Sequence, residues 1–288
     1  MPTPIESGTG KNLMYLKPIP GLRRFSEGGG GGNGGGGEGG CLPLIRDTFT
    51  GSEPGPLSQH APEYAPMGWA WRDRPIPPEF PTRAQLQGNG TSAAEYPQIV
   101  LYGPTTAYDR CSLAGSQEIG ANDAIEVAFP YWITVVMAHN LDQSVDQEPG
   151  YSGNDIYPYS PTWLTQNIVR FREAQLNISE VSCVIQNSFS ILNSEVQSIA
   201  FVNVITSTGE TQISSPVTLT PDINGVFPEV TFVVEVNESS FTATVAGSVR
   251  PAITVASACP NSFREVEIQF PPLPSYVSKI ELTTCGPP

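Results

Sequence analysis

The residue types that most often carry chemistry are sparse in this chain and far apart. There are two histidines, His60 and His139, and five cysteines, Cys41, Cys111, Cys183, Cys259 and Cys285. No Cys-x-x-Cys pair occurs, so a zinc site, which needs thiolate and imidazole ligands at short spacing, is not expected. The wide separation predicts mostly buried thiols rather than a disulfide framework. Neither histidine stands in a nucleophile–base motif. Carboxylates at alternate positions occur in Glu265-Val266-Glu267-Ile268-Gln269. Alternate residues share one face of a strand, and the sequence reading is two exposed glutamates on a wet strand face. No catalytic residue is assigned, and the chain is read as a non-enzyme.

The richest candidate contact surface is the loop 139–164, HNLDQSVDQEPGYSGNDIYPYSPTW. It holds Asp142, Asp146, Glu148 and Asp155 together with Tyr151, Tyr157, Tyr159 and Trp163. Sugar rings stack their CH groups on aromatic faces, and their hydroxyls donate to carboxylates. Tyr151, Tyr157, Tyr159, Trp163 and Asp155 are therefore the candidate contacts for a glycan or another partner. The same composition also describes a surface loop pinned by buried tyrosines.

Bulk properties exclude several classes. The net charge is −14 and the isoelectric point about 4.5. Affinity for a phosphate backbone comes from Lys and Arg displacing counterions, so nucleic acid is not an expected partner. No run of 18 apolar residues exists, so no membrane insertion is expected. The N-terminus lacks a basic start followed by an apolar run, which predicts no secretory signal.

Three segments follow from composition. Residues 1–27 form an arm with apolar points at Met14, Tyr15, Leu16 and Phe25 and a basic group at Lys11, Lys17, Arg23 and Arg24. Pro18 and Pro20 break any helical period, and the arm is either disordered or docked on a partner. Residues 28–40 are nearly pure glycine and read as a flexible tether. Residues 41–288 form the folded domain. Strands are expected near 43–50, 98–103, 123–129, 132–138, 166–173, 181–191, 197–206, 211–219, 229–237, 240–246, 251–257, 263–270 and 276–283. Long loops are expected at 51–97 and 139–164. Several strands alternate: Val230, Phe232, Val234 and Val236 share one face, as do Val266, Ile268 and Phe270. In VSKIELT, Ser278 breaks the alternation. ITVVMA (133–138) and SIAFVNVI (198–205) are apolar on both faces and read as central strands. The fold class is all-β, a two-sheet antiparallel jelly-roll sandwich.

The stretch 44–71, LIRDTFTGSEPGPLSQHAPEYAPMGWAW, resembles the opening strand and loop of concanavalin A-like (laminin-G-like) jelly rolls found in phage virion proteins. The matching residues are Asp47, Thr48, Phe49, Gly51, Leu57, His60, Pro62, Gly68 and Trp69. The hairpin 232–249 is similar to the late hairpin of that fold, and VSKIELTT to its closing strand, which pairs with the first. The resemblance implies structural roles for Asp47, Phe49, His60 and Trp69. It implies a virion protein, such as a tail-fibre, head-fibre or decoration protein, located in the virion. Such a protein would contact other virion proteins through residues 1–40, often as a homotrimer, and would offer its jelly roll to host glycans. Laminin-G-like folds sometimes bind calcium, for which Asp142, Asp146 and Asp155 are the candidate ligands; no other cofactor is implied. Two alternatives stand beside this reading: a capsid jelly-roll subunit of a small virus, and a secreted glycan-active enzyme. In glucanases of related fold the acids stand two and four residues apart on one strand face. Glu265 and Glu267 depart from that pattern, because the central Asp is missing and the last position is Gln269.

Overall fold

The computed structural model describes residues 43–50, 55–73, 84–86, 92–94, 109–115, 124–139, 162–173, 179–190, 195–223, 227–270 and 275–286. The chain divides into Met1–Gly40 and Cys41–Pro288, and every described residue belongs to the second unit. The arm, the glycine run and the expected strand near 98–103 lie outside the described residues.

The strands in chain order begin with β1 Ile45–Asp47, β2 Gly55–Pro56, β3 Ala70–Asp73, β4 Ala84–Leu86, β5 Ser92–Ala94, β6 Asp109–Ala114 and β7 Ile125–Glu126. The long central strands follow: β8 Tyr131–His139, β9 Thr162–Arg172, β10 Glu180–Ser190 and β11 Glu195–Ile205. The rest are β12 Thr211–Ile213, β13 Val217–Leu219, β14 Val230–Asn237, β15 Ser240–Val245, β16 Ser248–Val249, β17 Ile253–Thr254, β18 Ser262–Phe263, β19 Glu265–Phe270 and β20 Ser275–Thr283. A short 3-10 turn spans Leu57–Gln59. Among the described residues no helix is long and apolar enough to cross a membrane.

These strands build two large antiparallel sheets. One has ten strands, in the order β16-β15-β14-β8-β20-β5-β4-β2, with β1 on β20 and β17 on β15. The other has eight, in the order β12-β11-β10-β9-β19-β6-β3, with β13 on β11. A small pair, β7 with β18, stands apart. The architecture is the all-β two-sheet sandwich expected from the alternating pattern.

The core is the set of apolar faces turned toward each other. From the ten-stranded sheet come Ile133, Val135, Met137, Phe232, Val234, Ile280 and Leu282; from the eight-stranded sheet come Val169, Phe171, Val181, Ile185, Val202, Val266 and Ile268, all buried. Each such side chain contributes roughly 1.5–3 kcal/mol of burial. A one-residue slip in any strand would turn its whole apolar row to solvent, so register is strongly specified. The closing strand β20 pairs with β1 as the resemblance implied, with Ile45 opposite Leu282 and Asp47 opposite Ile280. The broken alternation at Ser278 is a β-bulge, where the register against β8 shifts between Val277 and Lys279. One extra residue there restores Val277, Ile280 and Leu282 to the core face.

Three expectations need correction. The stretch 51–97 is not one loop, since it contains β2, β3, β4 and β5. The strand β6 was not anticipated, because in DRCSLA only Cys111 and Leu113 are strongly apolar; its place between β3 and β19 supplies the pairing. The expected strand 211–219 is two strands, both paired to β11. Pro216 cannot donate to the ladder. Ser214 spans the break: its N–H donates to Val202 O at 2.8 Å, and its Oγ accepts from Val202 N at 2.8 Å. The cysteine expectation holds for Cys111, Cys183 and Cys259, which are buried and outside any disulfide. Cys285 is disulfide-bonded.

Two predictions follow from the backbone and the buried thiols. The turn between β15 and β16 places Ala246 and Gly247 at φ of +49° and +76°. Two positive φ values in a two-residue hairpin turn suit Asn-Gly far better than Ala-Gly. Ala246→Asn should raise stability by about 0.5–1 kcal/mol in chemical denaturation. Burial pushes the Cys259 thiol up to about 11 and raises Cys183 and Tyr131 as well. Native protein then holds protons that the unfolded chain releases, so stability should fall as pH rises above about 8.5. Cys259→Ala should flatten that fall between about pH 8.5 and 11, as read from denaturation midpoints across the range.

Candidate functional site

Two polar constellations interrupt the apolar plan. The first lies between the sheets. Asp47 sits on β1 of the ten-stranded sheet, on the inward face, with no exposed surface. Its Oδ1 accepts from the Phe49 N–H at 2.9 Å and lies 2.9 Å from His60 Nε2. Its Oδ2 accepts from Trp71 Nε1–H at 2.8 Å. Trp71 belongs to β3 of the other sheet, so this carboxylate ties the two sheets together. Phe49 adopts φ of +54°, a left-handed conformation that costs a bulky residue about 1–2 kcal/mol. The bond from its own N–H to Asp47 closes a local turn, and its ring packs 5.8 Å from both His60 and Trp71. Trp69, next to β3, is also buried. The Asp47–His60 pair has the composition of a catalytic dyad. However, Asp47 has no exposed surface, and both its oxygens are taken up by Phe49, His60 and Trp71 between the sheets. The arrangement fastens Phe49, His60 and Trp71 to one buried carboxylate.

The second constellation covers the outward face of the eight-stranded sheet. Val266, Ile268 and Phe270 fill the core side of β19, so Glu265, Glu267 and Gln269 point away from it together. All three are nevertheless buried, at 5%, 3% and 4% exposure. This overturns the expectation of two exposed glutamates on a wet face. Their charged partners stand on the neighbouring strands. In register, Glu265 stands opposite Arg172 and Glu267 opposite Arg170 on β9, and Arg172 in turn stands opposite Glu180 on β10. Arg170 Nη1 donates to Glu267 Oε1 at 2.6 Å and to Gln269 Oε1 at 2.7 Å. Arg172 Nη1 lies 3.4 Å from Glu265 Oε1 and 3.2 Å from Glu267 Oε2, while its Nε donates to Glu180 Oε2 at 3.2 Å. Arg170 Nε approaches Glu180 Oε1 at 3.8 Å.

Three carboxylates thus share two guanidinium groups across β19, β9 and β10. Burial lowers the pKa of Arg170, with Glu267 opposing the shift. Burial also acts against Arg172, but Glu267, Glu180 and Glu265 more than offset it and raise its pKa. Next to this ladder, on the same face, lie Ser112 on β6 and Arg72 on β3, the latter bonded to Ala114 O and Gly115 O. A row of amides continues it, with Gln166 Nε2 donating to Gln186 Oε1 at 2.8 Å. Acids, guanidinium groups, amides and a hydroxyl on one sheet face can donate to and accept from a ligand rich in hydroxyls. Glu265 and Glu267 also reach one nitrogen of Arg172, so the two carboxylates are close neighbours.

The sequence-expected contact residues Tyr151, Tyr157, Tyr159, Asp142, Asp146 and Asp155 lie outside the described residues. Trp163 is placed only as a backbone position on β9. Among the described residues, no group of three or more His, Cys, Asp or Glu is arranged to hold a metal ion. Sequence reasoning missed Arg170, Arg172 and Glu180. The available sign was alternation of charge: Arg170-Phe171-Arg172 and Glu265-Val266-Glu267 each put two like charges on one face, and opposite signs on two such strands are a pairing cue.

No family model matches the sequence, and none of the curated proteins matches it. Solved structures do resemble the fold. An endo-β-1,3-glucanase from Pyrococcus furiosus is 12% identical, with a TM-score of 0.47 over 84% of this chain and 94% of its own. A β-glucanase from Bacillus licheniformis is 12% identical, with a TM-score of 0.42 over 81% and 98%. A carbohydrate-binding module from Bacillus subtilis is 3% identical, with a TM-score of 0.34 over 67% and 86%. The expectation that the chain is no enzyme is corrected by these structures, since glucanases are among the proteins it is similar to. Similarity at this level assigns no role to any residue.

Both constellations make sharp stability predictions. Asp47→Ala leaves the Trp71 indole and the Phe49 amide without their buried acceptor and should cost about 3–5 kcal/mol. The denaturation midpoint should drop while the slope stays constant. Arg170→Ala leaves Glu267 short of its closest cation and should cost about 3 kcal/mol. Exchanging the partners, Arg170→Glu with Glu267→Arg, should recover part of that loss, which a double-mutant cycle would measure.

Proposed function

We propose that this protein recognises a polysaccharide across the outward face of its eight-stranded sheet, with Glu265 and Glu267 as the carboxylates available for glycosidic chemistry. The observation that carries the reading is the ladder of Glu265, Glu267, Gln269, Arg170, Arg172 and Glu180. Buried ion networks are a weak source of stability compared with apolar packing of similar volume. A charged network on one sheet face, beside a well-filled core, is better explained by a ligand than by folding. Vicinal sugar hydroxyls each donate and accept, and paired carboxylate and guanidinium groups answer both roles. In a retaining glycosidase two neighbouring carboxylates, about 5–5.5 Å apart, divide the work of nucleophile and acid. Among the described residues, Glu265 and Glu267 stand two apart on one strand and share Arg172 Nη1, and we assign them to that pair. Tyr151, Tyr157, Tyr159 and Trp163 would add stacking surfaces, and Asp155 an acceptor. Attachment to a virion through residues 1–40 draws no support from the described residues or from the similar structures.

A panel of soluble and insoluble polysaccharides tests the proposal by retardation in affinity gels and by release of reducing ends. Binding to at least one polymer is expected, weakened about tenfold by Gln269→Ala. Reducing-end release, where found, should be lost in Glu265→Gln or Glu267→Gln while binding persists. Failure to bind any polymer, by a protein shown to be folded, sinks the reading.

A further inference from the structure

Toward one end of the sandwich, the interior face changes from apolar to polar on four strands together. Along β9 the inward residues run Phe171, Val169 and then Asn167; along β10 they run Val181, Cys183, Ile185 and then Asn187; along β11, Val204, Val202, Ala200 and then Ser198. On the facing sheet β20 runs Leu282, Ile280, Val277 and then Ser275. The four polar residues are 0%, 4%, 1% and 2% exposed. They converge. Asn187 stands opposite Ser198 in register, and Asn167 lies diagonally beside Asn187, since their register partners are Ile185 and Thr165. Asn167 Nδ2 crosses the sandwich to donate to Ala138 O at 3.3 Å. Ala138 is paired with Tyr276, the residue after Ser275.

Yet among the described residues Asn167 Oδ1, both polar atoms of Asn187, Ser198 Oγ and Ser275 Oγ have no hydrogen-bond partner. Buried amides and hydroxyls are almost always satisfied, because leaving them unmet forfeits their hydration. Asn187 and Ser198 face each other at a cross-strand distance where a direct bond is possible, but they do not bond to one another. All four side chains are neutral, so the cluster suits a neutral, small ligand that both donates and accepts. Water meets that description and needs two to four such partners to remain in an interior.

We propose that this end of the sandwich holds ordered water, bonded to Asn167 and Asn187 on the eight-stranded sheet and joined by Ser198 and by Ser275 from the facing sheet. The water replaces apolar contact as the tie between the sheets where the core gives out. Arg170, Arg172 and Glu180 lie on the outward face of the same two strands, toward their other end. A high-resolution crystal structure of the full chain should show a solvent peak within hydrogen-bond distance of Asn167 Oδ1 and of Asn187. A dry cluster with a direct Asn187–Ser198 bond would overturn the proposal. So would a peak that gains anomalous signal on soaking with rubidium or thallium, because the site would then hold a cation. In solution, Asn167→Ala and Asn187→Ala should couple through the shared water, so that their effects on the unfolding equilibrium depart from independence by about threefold or more. Strictly independent effects would also overturn it.

Discussion

A carboxylate sealed between two sheets must find its donors there, and Asp47 finds three: the Phe49 amide, the His60 ring and the Trp71 indole. Its strand belongs to one sheet and Trp71 to the other, so the bond that satisfies the charge also sets how the sheets meet. The same carboxylate fixes Phe49 and His60 on the way from one to the other. Phe49 is held in a left-handed conformation by its bond to Asp47, and its ring closes over the tryptophan and the histidine. Apolar packing supplies most of the favourable energy of such a domain, but it is non-directional. The directional tie at Asp47 gives the opening connection one arrangement.

The outward face of the eight-stranded sheet obeys a different constraint. Its core side is filled by valine, isoleucine and phenylalanine, which leaves the other face free to carry charge. Pairing across β19, β9 and β10 brings three acids to two arginines, each spaced by the two-residue period of its own strand. The arginine side chains are the more exposed members, at 14% and 26% against 4% to 7% for their acids. Aliphatic stems of arginine can cover a surface while the charged head stays near water. The acids are buried deeper than the guanidinium groups that pair with them.

Much of the fold was legible because a half-buried strand writes its environment at every second residue. Val230 to Val236 and Val266 to Phe270 declared their core faces, and Ser278 declared the bulge by breaking the rhythm. What was illegible lacked that rhythm. β6 carries only a short apolar alternation, and β2 to β5 are two to four residues long, so their existence depends on the partners they pair with. The candidate site was half legible. Alternation placed Glu265 and Glu267 on one face, but their burial could not be read, because it depends on arginines about ninety residues away in sequence.

The sequence by itself determined that this is an all-β sandwich and that 133–138 is a central strand, whereas 198–205, read as central too, stands next to the short edge strands β12 and β13. Those properties are local: they follow from side-chain period, turn chemistry and the resemblance of a short stretch. Only the tertiary structure decided that Asp47 bridges two sheets, that Glu265 and Glu267 are buried with Arg170 and Arg172, and that Asn167, Asn187 and Ser198 meet inside. Each of these is a pairing between strands distant in the chain. Register between strands is set by the summed burial of whole faces, and no single residue carries it.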